Sequence, residues 1–154
     1  MKLRLLWFGK TKDRRLAELI DDYLHRLAKY AKYDLLELKE PRHTLERTTV
    51  LEAEAKLLLN AISPQAYKIM LDEQGEQLSS LALARLLEQQ QLASRREMIF
   101  VVGGHYGLAT EVKRSADRLW SLSALTFTHE IARLLLIEQL YRAYTIIHGH
   151  PYQK

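Results

Sequence analysis

Several small groups of residues in this sequence have types and spacings that could do chemistry. His129 opens a long apolar segment, and Arg133 follows one helical turn later. At about 100° per residue both project beside Leu136, Ile137, Leu140 and Tyr144, away from Glu130, Glu138 and Arg142. A histidine and an arginine on an apolar face are costly unless they meet partners or a cavity. The pair is therefore either part of a binding site, or a satisfied helix start with a snorkelling arginine. The run GGHYG at 103–107 follows a strand-like MIFVV. Its glycines could let the backbone approach a ligand, or could simply close a tight turn. It is neither the dinucleotide pattern G-x-G-x-x-G nor a phosphate loop, since no Gly-Lys-Ser/Thr follows.

Tyr141, Arg142 and Tyr144 could stack on bases and clamp phosphate. Equally, the tyrosines could be core and Arg142 could pair with Glu138 at i−4. His148 and His150 bracket Gly149, a weak metal signal with no third ligand at the right spacing, so no metal site is expected. His25 and His43 read as exposed. Asp72 and Glu73 could touch a ribose or be solvated. No Ser/His/Asp order and no paired carboxylates point to hydrolysis.

These residues need elements to position them. Strand patterns occur at 2–8, 33–39, 67–71, 98–102 and 120–127, the first closed by Gly9 and the second ended by Pro41. Between them, 13–31 repeats apolar residues at i, i+3, i+4, i+7, and 45–62 carries Leu51, Ala55, Leu58 and Ile62 on one stripe. Residues 72–75 read as a turn, Ser79 or Ser80 as the cap of a third helix, and a shorter fourth helix should run to about Leu119. The last helix starts at His129. Strands alternating with helices predict an α/β fold, one three-layer domain over 1–154 with a mostly parallel sheet. Ligands in such sheets sit at the carboxyl ends of strands, here the turns after Leu71, Val102 and Phe127. The last helix is apolar nearly all round, which predicts burial between two surfaces. In a chain of 154 residues the second surface is expected to be another copy, making a homodimer.

Composition narrows the function further. Hydrophobic residues make up 47 % and charged residues 27 %, ordinary for a folded domain. No apolar run approaches the ~20 residues of a membrane span, and no secretory signal is apparent. The chain has no cysteine, which excludes disulfide and thiol chemistry and fits a reducing cytoplasm. A formal charge of +4 leans toward a polyanionic partner, or marks only a solvated basic surface.

Taken together, L-D-x-x-G at Leu71, V-G-G-x-x-G-L at 102–108, W-S-L-S-A-L-T-x-x-H at 120–129, L-Y-R-A at 140–143 and the terminal H-P-Y resemble one family. It is the ribosomal RNA large subunit methyltransferase H family, of the SPOUT class, and the resemblance covers the whole chain. It implies an S-adenosyl-methionine-dependent enzyme that methylates N3 of a pseudouridine in helix 69 of 23S ribosomal RNA on assembled ribosomes. It also implies a homodimer and a C-terminal trefoil knot, which connectivity rules would not suggest. Carried over by position, the cofactor-binding residues would be Leu71, Gly103, Gly104, Ser123, Ala124, Leu125, Thr126, Phe127 and Thr128. His129 would be the base, and Arg133, Arg142, Tyr152 and Lys154 would hold the RNA, reaching across the dimer. The alternatives of other classes are a non-enzymatic ribosome- or RNA-binding module of this fold, and a flavodoxin-like nucleotide binder. The chain departs from the family pattern at His105, Thr128, Glu130 and Gln153. Loss of proline at 128 and 130 is expected to loosen the approach to the last helix, and Gln153 cannot act as a base.

Overall fold

The computed structural model describes residues 1–42 and 46–153, with the Gln153 side chain left out. His43 and Lys154, and the expected start of the second helix at Leu45, lie outside the described residues. Five strands form one all-parallel sheet: β1 (Lys2–Phe8), β2 (Lys32–Leu38), β3 (Tyr67–Gln77), β4 (Glu97–Val102) and β5 (Arg118–Ser121). Their spatial order is β2-β1-β4-β3-β5. Alternation along the strands divides the core in two. Leu3, Leu5, Trp7, Ile69, Phe100 and Trp120 pack under α1 (Arg14–Leu27), α3 (Ser80–Leu92) and α5 (His129–Ile147). Leu6, Phe8, Met70, Ile99 and Val101 pack under α2 (Arg47–Ala61) and α4 (Thr110–Arg114). The predicted three-layer α/β domain is the observed one.

The helix starts are set by side-chain caps. Asp13 accepts from the Arg15 and Leu16 amides at 2.9 and 3.3 Å, and Ser79 from the Ala82 amide at 3.1 Å. Each satisfies donors that a first helical turn leaves free.

Four expectations need correction. β5 ends at Ser121 rather than continuing to Phe127, because its partner strand runs out where Gln77 pairs with Ser121. Local side-chain bonds then take over the backbone: Ser121 Oγ donates to Ser123 O at 2.8 Å, and Ser123 Oγ accepts from the Leu125 amide at 3.0 Å. β3 does not stop at Leu71. It continues to Gln77 across a register break in which Leu71 and Glu76 both face Trp120. Gly75 makes that possible, since a Cβ there would lie 2.6 Å from the Leu119–Trp120 backbone. α4 stops at Arg114, where Ser115 Oγ donates back to Val112 O at 2.7 Å. Finally, α5 is flanked within its own chain: it packs between α1 and α3, the middle helix of its layer. Its apolar composition therefore follows from its place in one chain, and a second copy is not needed to explain it.

One polar tie crosses this layer. Arg133 of α5 is 1 % exposed and donates to the carbonyls of Phe8 and Gly9 at 2.5 and 3.2 Å, and to Thr11 Oγ1 at 3.2 Å. Its guanidinium also stands 5.0 Å from the Trp7 ring centroid, a favourable cation–π contact. Beyond Phe8 the Gly9 amide still donates to Leu38 O of β2 at 2.8 Å, and Arg133 supplies donors to the Phe8 and Gly9 carbonyls. Arg133→Met should leave the buried Phe8 carbonyl and the half-buried Gly9 carbonyl without this donor and cost about 2–4 kcal/mol. Urea unfolding followed by circular dichroism checks this, through a lower midpoint at unchanged slope.

Candidate functional site

The carboxyl ends of β3, β4 and β5 open into a cleft of about 1020 Å³. Two of its walls contain the turns expected after Val102 and Phe127, and the third comes from residues inside β3 where a turn was expected. Leu71 to Gln74 form one wall, 102–110 a second, and 120–129 the third, with Arg47 and Leu51 of α2 at one side. Of the residues expected to bind a cofactor, Leu71, Gly103, Gly104, Ser123, Leu125, Thr126, Phe127 and Thr128 all line it. Ala124 is exposed on the same loop and does not line the cleft.

The glycines of the GGHYG turn do different jobs. Gly107 adopts φ +78°, a conformation most side chains avoid. Gly103 and Gly104 are there for space. A Cβ on Gly103 would lie 2.7 Å from the Gly107 backbone, and the Gly107 amide donates to Gly104 O at 3.1 Å. A Cβ on Gly104 would collide with the Glu54 carboxyl. The turn is thus closed on itself and pressed against α2.

His129 lines the cleft as the first residue of α5. The preceding Thr128 caps the helix, its Oγ1 accepting from the Ile131 amide at 3.3 Å. Glu130 accepts from the Lys12 amide. The two positions expected to loosen this approach instead define it. Burial, and after it the neighbouring Arg133 charge, lower the His129 pKa below the ordinary imidazole value. His129 is therefore neutral through the physiological range. Arg133 itself cannot meet an RNA from this position: its guanidinium is spent on the end of β1. That corrects its expected place among the RNA contacts.

Arg142 and Tyr152 stand together, but not at the cleft. Glu138 Oε1 accepts from Arg142 Nε and Nη2 at 3.0 and 2.6 Å and from the Tyr152 hydroxyl at 3.1 Å. The Tyr23 hydroxyl of α1 meets the Tyr152 hydroxyl at 3.1 Å, and the Arg142 guanidinium lies 4.8 Å from the Tyr152 ring centroid. Burial, the Tyr23 contact and the Glu138 charge together raise the Tyr152 pKa above that of an ordinary phenol. Along α5, Arg142 is about 20 Å from His129 at 1.5 Å rise per residue. Tyr141 and Tyr144 belong to the core, and burial pushes the Tyr144 hydroxyl up to about 12. His148 Nδ1 lies 2.9 Å from Tyr144 O at the helix end. Among the described residues no group of three or more His, Asp or Glu side chains is placed to hold a metal ion. Asp72 is taken up by Lys113 at 2.6 Å.

Two features escaped the sequence reading. Tyr106 and Arg47 meet at the rim of the cleft, with the guanidinium 5.7 Å from the ring centroid. Glu54, 6 % exposed, lies behind Gly104. Its only signal was its spacing from Arg47 and Leu51 on α2, where an acidic residue in a helix ordinarily reads as solvated.

Fold and cleft define the class first: a parallel α/β domain with a ligand cleft at its strand ends. A family model described as "Predicted SPOUT methyltransferase" matches residues 1–153. The chain is 40 % identical over 152 residues to the ribosomal RNA large subunit methyltransferase H of Geotalea daltonii, covering 99 % of both chains. It is also 40 % identical over 153 residues to the protein of the same name from Syntrophotalea carbinolica, covering 99 % of this chain and 98 % of the relative. Among solved structures it resembles a probable methyltransferase from Bordetella pertussis, with a TM-score of 0.56 at 14 % identity over 93 % of this chain and 95 % of that one. A probable methylase family protein from Haemophilus influenzae gives a TM-score of 0.55 at 13 % identity, over 99 % of this chain and 70 % of that one. At such identities the structural likeness concerns the fold. The chain belongs to the ribosomal RNA large subunit methyltransferase H family, within the SPOUT methyltransferases.

Glu54 generates a test of this geometry. Burial, and after it the Glu40 charge, raise its pKa to about 7. The folded protein then holds a proton that the unfolded chain releases near pH 4.5, the ordinary value. Stability should therefore fall as pH rises from about 4.5 to 7 and level off above, by an amount on the order of 2 kcal/mol. Thermal unfolding of Glu54→Gln across this window should lack that component of the fall and show a higher melting temperature than the parent at pH 8.

Proposed function

We propose that the protein transfers a methyl group from S-adenosyl-methionine to N3 of a pseudouridine in helix 69 of 23S ribosomal RNA. The observation that carries the reading is the convergence of the β3 segment 71–74, the turn after β4 and the loop after β5, with His129, on one cleft. The cleft suits such a cofactor, being of ligand size and walled by glycine backbone, by the hydroxyl side chains of Ser121, Ser123, Thr126 and Thr128, and by apolar Leu122, Leu125 and Phe127. When bound, the cofactor supplies a methyl on a sulfonium, an electrophile that the protein has no need to activate. The chain's own residues then bind and orient. Gly103 and Gly104 bring backbone close, the 121–128 loop offers amides and carbonyls, and Leu71 and Leu51 exclude water. His129, neutral and facing the cleft, is the acceptor for the N3 proton. No helix among the described residues is long and apolar enough to cross a membrane, in keeping with an enzyme of cytoplasmic ribosomes.

The distance between His129 and the Arg142–Tyr152 cluster supports a homodimer in which the tail of one protomer serves the cleft of the other. An outward stripe on α5 of Ile131, Leu135, Glu138 and Arg142 is left half-exposed between α1 and α3 and offers the surface for it. We further assign to the C-terminal part the trefoil knot of its family. The close passage of β5 against Gly75 and the return of α5 to the middle of its layer support that path.

Isothermal calorimetry should show S-adenosyl-methionine binding, and a silent titration would sink this reading. His129→Ala should bind the cofactor normally and lose turnover at least about 100-fold. The parent's acid limb should fall at an apparent pKa below 6.5, in line with the depressed imidazole. Mixing inactive His129→Ala and Arg142→Ala dimers under subunit exchange should restore about one quarter of the parental sites, because each mixed dimer holds one intact composite cleft. Mass spectrometry of methylated rRNA is the readout.

A further inference from the structure

Glu54 is a buried ionisable group with no task so far. Arg47, Leu51 and Glu54 follow one another at i, i+4 and i+7 on α2. The first two line the cleft. Glu54 is the next step along that stripe, 6 % exposed, and its carboxyl fills the space that a side chain at Gly104 would need, with Oε2 and Cδ each 3.0 Å from that position. Only the Gly104 backbone separates it from the cleft wall. No hydrogen bond or ion pair reaches this carboxyl among the described residues.

Its charged surroundings do not neutralise it. Glu40, from the loop after β2, is a like charge and disfavours ionisation of Glu54. Four cations among the described residues have contacts elsewhere. Arg47 covers the Tyr106 ring at 5.7 Å, and Lys113 of α4 pairs with Asp72 at 2.6 Å. Lys12 stands 3.7 Å from Glu40, and Arg133 is bound to the β1 carbonyls. On the turn, His105 packs against Tyr106 with ring centroids 4.9 Å apart, and on α5 His129 is held neutral. A carboxyl taken out of water without a partner is costly to keep, and the deficit is one of positive charge.

We propose that Glu54 is a positioning residue for the positive charge of the methyl donor: set behind Gly104, its carboxylate favours the sulfonium over the neutral thioether that remains after transfer. This rests on the reading of the cleft as a methyl-donor site. Direct contact is not required, because charges interact strongly across the few ångströms of poorly polarisable protein that a glycine leaves. Without a ligand the carboxyl keeps its proton up to about pH 7. A bound cation stabilises the ionised form and drives that proton off, whereas the uncharged thioether does not. Donor binding therefore releases a proton, and product binding does not. Exchange of product for donor is favoured on each turnover.

The test is calorimetry of the full-length protein with S-adenosyl-methionine and with S-adenosyl-homocysteine, from pH 5.5 to 8.5, in two buffers of different ionisation enthalpy. In the parent, the donor-to-product affinity ratio should rise with pH up to about 7, roughly tenfold for each unit by which the donor lowers the Glu54 pKa. Proton release should accompany the donor alone. Glu54→Gln, of the same shape, should flatten that ratio and abolish the release, and Glu54→Asp should keep both in weakened form. A melting curve confirms that each variant is folded. A folded Glu54→Gln with the parental ratio and the parental proton release overturns the assignment of Glu54 and leaves the cofactor reading intact. A parent that binds neither compound overturns both.

Discussion

The end of β1 is held by one side chain from the other end of the chain, and the cleft depends on that bond. At the end of β1 the carbonyls of Phe8 and Gly9 are taken by Arg133 of α5, 125 residues away in sequence in the case of Phe8. Buried backbone oxygens must be paired. A cation buried to 1 % exposure must likewise be surrounded by acceptors. Each need meets the other at the two terminal nitrogens, while Nε stays without a hydrogen-bond partner among the described residues. The consequence reaches further than either residue, because Arg133 sits one turn below His129. Fixing Arg133 fixes the start of α5, and with it the imidazole at the cleft. The same charge also helps keep that imidazole neutral.

The cleft and the strand beside it depend on three close backbone approaches. Gly75 lets the β3 irregularity pass against Leu119 and Trp120, Gly103 lets the turn fold back on Gly107, and Gly104 makes room for Glu54. Each approach is closer than a Cβ allows. Backbone walls present amides and carbonyls to a ligand without side-chain entropy to lose, which suits a site that positions reactants and leaves the chemistry to a bound electrophile. They also make the site intolerant of change: adding one methyl at any of these glycines moves backbone or a buried carboxyl.

α5 has two functional ends that a single chain keeps apart. Its first residue faces the cleft, while Glu138, Arg142 and Tyr152 are gathered about 20 Å away by hydrogen bonds to one another and to Tyr23. A helix is rigid over this length, so no local motion brings the two ends together. The cluster either serves another copy or serves nothing in the cleft, which is the physical content of the dimer proposal.

The strand order apart, most of the fold was written in local pattern. Apolar strand-like runs, the apolar ladder of α1 and the cap offered by Ser79 or Ser80 identified the elements. The rule that ligands sit at strand carboxyl ends then directed attention to the turns after Leu71, Val102 and Phe127, and the family resemblance named the residues in and around them. Where the pattern misled, the cause was an absent partner or a present one. The run 120–127 has strand character, but nothing pairs with it beyond Ser121; α5 is apolar all round because α1 and α3 flank it. Residue types and spacing by themselves determined which segments are amphipathic and where glycine relieves the backbone, since these depend on neighbours a few positions away. Only the tertiary structure decided what covers each face. Arg133 found carbonyls rather than RNA, Glu54 found no hydrogen-bond or ion-pair partner among the described residues, and Arg142 was set far from His129. Those outcomes depend on the crossover order β2-β1-β4-β3-β5, which brings together residues that sequence spacing does not relate.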